Sequence, residues 1–127
     1  MDIAITLPNS LWDKIVSGKK TIELRKNFPK FFDVDVDKVF VILKGTPQIV
    51  GFFYVRSFEW TYAKGLLDDK SILLKISVPR QWIANYIGDI HVVYLWHIRE
   101  VYTFPRPLDR SIVWNMYTNP QSFVYVR

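Results

Sequence analysis

The chain has 127 residues, half of them hydrophobic and 17% aromatic, which is enough to build one core and too apolar for disorder. It contains no cysteine, so disulfides and thiolate chemistry are excluded. The formal charge of +5 suits a polyanionic partner such as nucleic acid, or else reflects only a cationic solvated surface.

Met1-Asp2-Ile3-Ala4-Ile5 lacks the basic start and long apolar stretch of a secretory signal. No run approaches the ~20 apolar residues of a membrane span. The expectation is one soluble, cytoplasmic domain over residues 1–127, with no membrane partner. Ile3–Leu7 reads as a short strand stopped by Pro8. Ser10-Leu11-Trp12-Asp13 resembles a capping box, and Leu11, Trp12, Ile15 and Val16 then recur at helical spacing. Gly18 is placed to end that helix.

The next segment, Gly18-Lys19-Lys20-Thr21-Ile22-Glu23-Leu24-Arg25, is the most informative in the chain. It reads G-x-K-x-x-E-x-R. Along a strand, Thr21, Glu23 and Arg25 share one face while Ile22 and Leu24 share the other. Lys19 and Lys20 come from the turn, where strand parity does not fix their direction. Residues 14–30 carry Lys14, Lys19, Lys20, Arg25, Lys26 and Lys30, six of the seventeen basic residues, against Glu23 alone.

Downstream, Phe28–Phe32 reads as an aromatic loop and Val39–Leu43 as a strand buried on both sides. Gly45-Thr46-Pro47 forms a turn, and Ile49–Trp60 a long strand with Gly51 as a bulge or close-approach point. Tyr62–Ser77 is ambiguous, with Lys70–Ile76 either helical or extended. Pro79 opens a helix whose apolar face is Trp82, Ile83, Tyr86 and Ile87, and Gly88 stops it. Ile90–Tyr102 is the longest strand signal, broken by Pro105 and Pro107, and Ser122–Val126 closes the chain. Five or six strands with two or three short helices imply an α+β fold built on a small mixed sheet. Closure into a barrel would remove its exposed edges.

The G-x-K-x-x-E-x-R run after a short helix resembles the signature of the ASCH domain, named for homology to an activating signal cointegrator. Gly88-Asp89 with the strand Val92–Ile98, then Phe104-Pro105-Arg106-Pro107-Leu108, then Asn119–Val126, are similar to later family features in the same order. The resemblance covers nearly the whole chain. It implies a PUA-like β-barrel with the signature lining a cleft between barrel and helices. It also implies RNA or modified nucleobases as partners, and for some relatives ribonuclease activity or deacylation of acetylated cytidine. In the amidohydrolase branch the signature lysine is matched by Lys20. That branch's threonine falls at Glu23, and its further glutamate has no clear match in Tyr62–Ser77.

Spacing alone favours Glu23 and Arg25 as an ordinary pair on an amphipathic strand; the resemblance favours a site. The ligand-binding set is then Lys19, Lys20, Thr21, Glu23, Arg25 and Lys26. Arginine offers a planar fork for phosphate or a base carbonyl. If the protein is an enzyme, Lys20 and Glu23 are the catalytic candidates, Lys20 needing a depressed pKa. His91 and His97 stand six residues apart on one strand, roughly 20 Å, too far for one site; His97 is the better cleft candidate. Trp12 and Trp82 read as core, and Phe31, Phe32 and Trp114 as the better base-stacking candidates. No metal or cofactor pattern is present. Three functions follow: a module binding RNA, single-stranded nucleic acid or a nucleotide; a small hydrolase; or a scaffold for a protein partner.

Overall fold

The computed structural model describes residues 1–114, 116 and 118–126. Strand β1 (Ile3–Leu7) runs into helix α1 (Asn9–Val16), then come β2 (Ile22–Arg25), β3 (Lys38–Leu43) and β4 (Gln48–Tyr62). Three helices follow, α2 (Ala63–Leu66), α3 (Lys70–Ile76) and α4 (Arg80–Ile87). The long β5 (Val92–Asp109), a 3₁₀ turn (Arg110–Ile112) and β6 (Val124–Tyr125) complete the chain.

The six strands form one mixed sheet in the order β2-β5-β4-β3-β1-β6. Only β1 and β3 are parallel; the other neighbours are antiparallel. The sheet is open. Its edge strands are β2, with four residues, and β6, with two, and among the described residues no ladder joins them. The expected closed barrel is thus corrected to an α+β sheet with a seam. Strands this short leave too few backbone groups to complete the circle.

Period-two alternation sorts the core. One face of the sheet packs Ile3, Ile5, Val39, Val41, Phe53, Val55 and Trp96 with Trp12 and Ile15 of α1. On the other face, Ile22, Leu24, Val93 and Leu95 pack against α2, α3 and α4 through Leu66, Ile76, Ile83 and Ile87. The remainder of that face holds Ala4, Ile42 and Ile49 beneath the C-terminal segment. Strand β3 is therefore covered on both sides, as its continuous apolar run implies.

Several local expectations change. Pro8 is the N-cap of α1 and no side chain caps it, so the Ser10–Asp13 box does not form. Gly18 does end the turn, with φ +81°. Lys70–Ile76 is helical because Asp69 caps it, accepting from Ile72 N at 3.1 Å. Asp69→Ala should cost about 1 kcal/mol of stability in a urea titration, since it orphans that N–H. Strand β5 runs through Pro105 and Pro107 instead of breaking at them. The ladder to β4 skips from Gly51↔Thr103 to Ile49↔Leu108, so both prolines lie in an irregularity where no ladder N–H is required. Among the described residues, no helix is long and apolar enough to cross a membrane.

Candidate nucleotide cleft at the open seam

The seam is occupied by a cleft of about 750 Å³. The end of β1 supplies Thr6 and Leu7, β2 supplies Glu23 and Arg25, and the β3–β4 turn supplies Lys44 to Pro47. Trp82 and Tyr86 of α4 line one side, and Arg110 with Thr118–Gln121 another. Three cations, Arg25, Lys44 and Arg110, stand there against one acid, Glu23.

Strand parity puts Glu23 and Arg25 on the same face as Trp96, as the sequence implies, with Glu23 opposite Trp96 in the β2–β5 ladder. Arg25 donates to Glu23 Oε2 through Nε at 3.1 Å and Nη2 at 3.0 Å. Nη2 also reaches across the seam to Thr6 O at 3.4 Å. The guanidinium lies 5.8 Å from the centre of the Trp96 ring. Among the described residues no acceptor meets Nη1, and no buried polar side-chain atom is left without a partner. Arg25 thus lines the cleft with Nη1 uncommitted among the described residues.

Lys20 stands behind this pair, not in the cleft lining. The turn after Gly18 carries it inward, where it is 2% exposed. Its ammonium donates to Ile22 O and Ile76 O, each at 2.9 Å, and pairs with Glu23 Oε1 at 3.3 Å. Those three acceptors match the three N–H bonds of an ammonium. Burial lowers the Lys20 pKa, with Glu23 pulling the other way. Burial alone would raise the Glu23 carboxyl, but Arg25 and then Lys20 outweigh it and hold it below the ordinary carboxylate value. Lys20, Glu23 and Arg25 form one chain of charge from the core to the cleft.

The other residues of the expected set separate. Lys19 and Thr21 are exposed and do not line the cleft; Thr21 N donates instead to Lys75 O. Lys26 sits over the Tyr86 ring at 4.7 Å. The six basic residues of the 14–30 stretch do not form one surface patch. Lys14 donates to Ser77 O and Lys20 to Ile76 O, so both are spent on the C-terminal carbonyls of α3. His97 lies on the face of β5 away from Trp96 and pairs with Glu59 Oε1 at 3.1 Å, outside the cleft.

Of the aromatic candidates, Phe32 packs on Phe58 and Trp114 joins the C-terminal cluster, donating to Thr118 O at 2.8 Å. Phe31 is exposed and packs on Tyr125, away from the cleft lining. Trp82, expected in the core, is 48% exposed. Sequence reasoning also missed Thr6, Lys44, Arg110 and Asn119, which no local motif connects to β2. Asn119 clamps the β3–β4 turn through Thr46 O at 2.9 Å and accepts from Arg110 at 2.7 Å.

No protein-family model and no curated protein matches the sequence. Solved structures do. The ASCH protein of Zymomonas mobilis superposes with a TM-score of 0.82 at 19% identity, over 99% of this chain and 87% of that one. Two single-substitution mutants of the same protein superpose with TM-scores of 0.83 and 0.82 at 18% and 19% identity. They too match 99% of this chain, and 88% and 90% of theirs. Together with the six-stranded open sheet and its helices, these superpositions show that the chain shares the fold of that ASCH protein.

Proposed function

We propose that the seam cleft binds RNA or a nucleotide, with Arg25 as its anchor. The observation that carries this reading is Arg25 in the cleft lining, its guanidinium fixed by Glu23 through Nε and Nη2 while, among the described residues, Nη1 meets no acceptor. A guanidinium immobilised in this way loses little freedom when it takes a phosphate or base carbonyl. Lys44 and Arg110 add positive charge at the walls. Glu23 is the acceptor available to an exocyclic amine beside that carbonyl. Lys20 has the role of positioning Glu23, since its three N–H bonds already face two carbonyls and a carboxylate.

Fluorescence anisotropy of a short labelled single-stranded RNA tests this. Wild-type protein should bind with an affinity that falls with salt, by a log–log slope of about −0.7 per phosphate engaged. Arg25→Ala should weaken binding by roughly tenfold or more, the usual cost of losing a charged hydrogen bond. Equal affinity for RNA and nucleotides in the two proteins would refute the assignment. The RNA should be intact afterwards; cleavage lost in Arg25→Ala would replace the binding role with hydrolysis at the same cleft.

A further inference from the structure

The geometry points to Trp82 as a stacking platform for an unpaired nucleobase in the seam cleft, favouring purines over pyrimidines. This rests on the nucleotide-binding reading above and specifies what the ligand must contain. The Trp82 and Tyr86 rings are stacked, with centroids 5.3 Å apart and planes 10° from parallel. Lys26 places its ammonium over the Tyr86 ring at 4.7 Å. Tyr86 thus has a cation and a parallel indole as neighbours, and among the described residues no further ring or cation is placed on Trp82.

Trp82 belongs to none of the three core clusters, whereas Ile83 and Ile87 on the same helix are buried in one. An indole left 48% exposed forgoes about half of the burial that a tryptophan can contribute. Yet this one is held by its stack against Tyr86 and lines the same cleft as Arg25. A base entering that cleft would extend the Tyr86–Trp82 stack by one ring. Every base has a π-face, so stacking alone tolerates all four, but a bicyclic purine overlaps more of the indole. Arg25 would meet the phosphate or base edge, and Trp82 the base face.

The test is anisotropy with short labelled oligoadenylate and oligouridylate, using wild type, Trp82→Phe, Trp82→Leu, Trp82→Ala and Arg25→Ala, each checked for folding by circular dichroism. Wild type should prefer oligoadenylate. Trp82→Ala and Trp82→Leu should each lose roughly tenfold or more on it, as expected for removing a stacking ring. Trp82→Phe should retain most of the affinity, and Trp82→Leu keeps apolar bulk without a π-face. Ribose 5-phosphate, which has no base, should compete equally poorly with wild type and Trp82→Ala. If Arg25→Ala abolishes binding while Trp82→Ala and Trp82→Leu match wild type, the platform is refuted and the cleft assignment stands. If neither Arg25 nor Trp82 variants change binding, the cleft assignment fails and the platform with it. A preference for oligouridylate refutes the purine assignment.

Discussion

Replacing Glu23 by alanine is expected to destabilise the fold by about 3–5 kcal/mol, the cost of leaving a buried charge without its partner. Glu23 is 4% exposed and compensates two cations, Lys20 at 3.3 Å and Arg25 at 3.0 Å. Lys20 suffers most. It is among the largest fully buried side chains, and after the substitution only carbonyl oxygens remain near its ammonium. Total stabilities of small domains are ~5–15 kcal/mol, so this one change removes a large fraction. At roughly 4 °C per kcal/mol for a chain of this size, the melting temperature should fall by ~12–20 °C.

The double variant Lys20→Met, Glu23→Gln should lose less than the sum of Lys20→Met and Glu23→Gln, because it removes both charges of the Lys20–Glu23 pair, while Arg25 keeps only the neutral amide beside it. Chemical denaturation of the two single variants and the double closes the cycle. Additive losses would show that Lys20 and Glu23 do not interact. The same pair sets an acid dependence. Glu23 is held below its ordinary value of 4.5 in the fold, so the folded state binds fewer protons there than the unfolded chain. Its contribution is fully present above that ordinary value and is lost as pH falls through the lower folded value. Glu23→Gln should flatten that part of the stability profile.

These charges explain why the site was only half legible in the sequence. The alternation in Ile22-Glu23-Leu24-Arg25 needs nothing but the pleat, and it placed Glu23 and Arg25 side by side correctly. Lys20 comes from a turn, where no period applies, and its inward direction is set by carbonyls that α3 delivers from 56 residues away. The walls of the cleft have the same origin. Thr6, Lys44, Arg110 and Asn119 meet because strand edges that fail to pair face one another, a tertiary event without a local signature. Trp82 matched the helical apolar stripe of Ile83 and Ile87, but it lies at that stripe's margin, where α4 faces the cleft. The barrel expectation failed for a related reason. Strand count and aromatic content could be read off, but closure depends on edge lengths, and among the described residues the β6 ladder to β1 spans just Ile3 and Ala4. By contrast the short strands β1 and β3 were legible almost to the residue, as Ile3–Leu7 and Val39–Leu43, whereas the far end of β5 was not, because its prolines fall in a register shift that the sequence does not announce.

Gly51→Ala is expected to cost about 3 kcal/mol or more, at the upper end of overpacking penalties, although it adds a single methyl group. A Cβ at this position would lie 2.1 Å from Tyr102 O, 2.8 Å from Trp12 Cζ2 and 3.0 Å from Trp12 Cη2. The first contact decides the size of the effect. A flexible side chain turns away cheaply, but Tyr102 O belongs to the neighbouring strand, and moving it means parting β4 from β5 beside the irregularity that accommodates the two prolines. The gain of ~0.4–1 kcal/mol from restricting the unfolded chain is too small to offset this. The Trp12 contact can be separated from the backbone contact by a second substitution. Trp12→Phe removes the outer ring that the methyl would strike, so in that background Gly51→Ala should cost less, but it should still destabilise, because Tyr102 O has not moved. Urea denaturation of the four proteins reads both parts. A neutral Gly51→Ala would mean that β4 and β5 do not approach this closely. A loss fully rescued by Trp12→Phe would assign the whole constraint to the helix, not to the sheet.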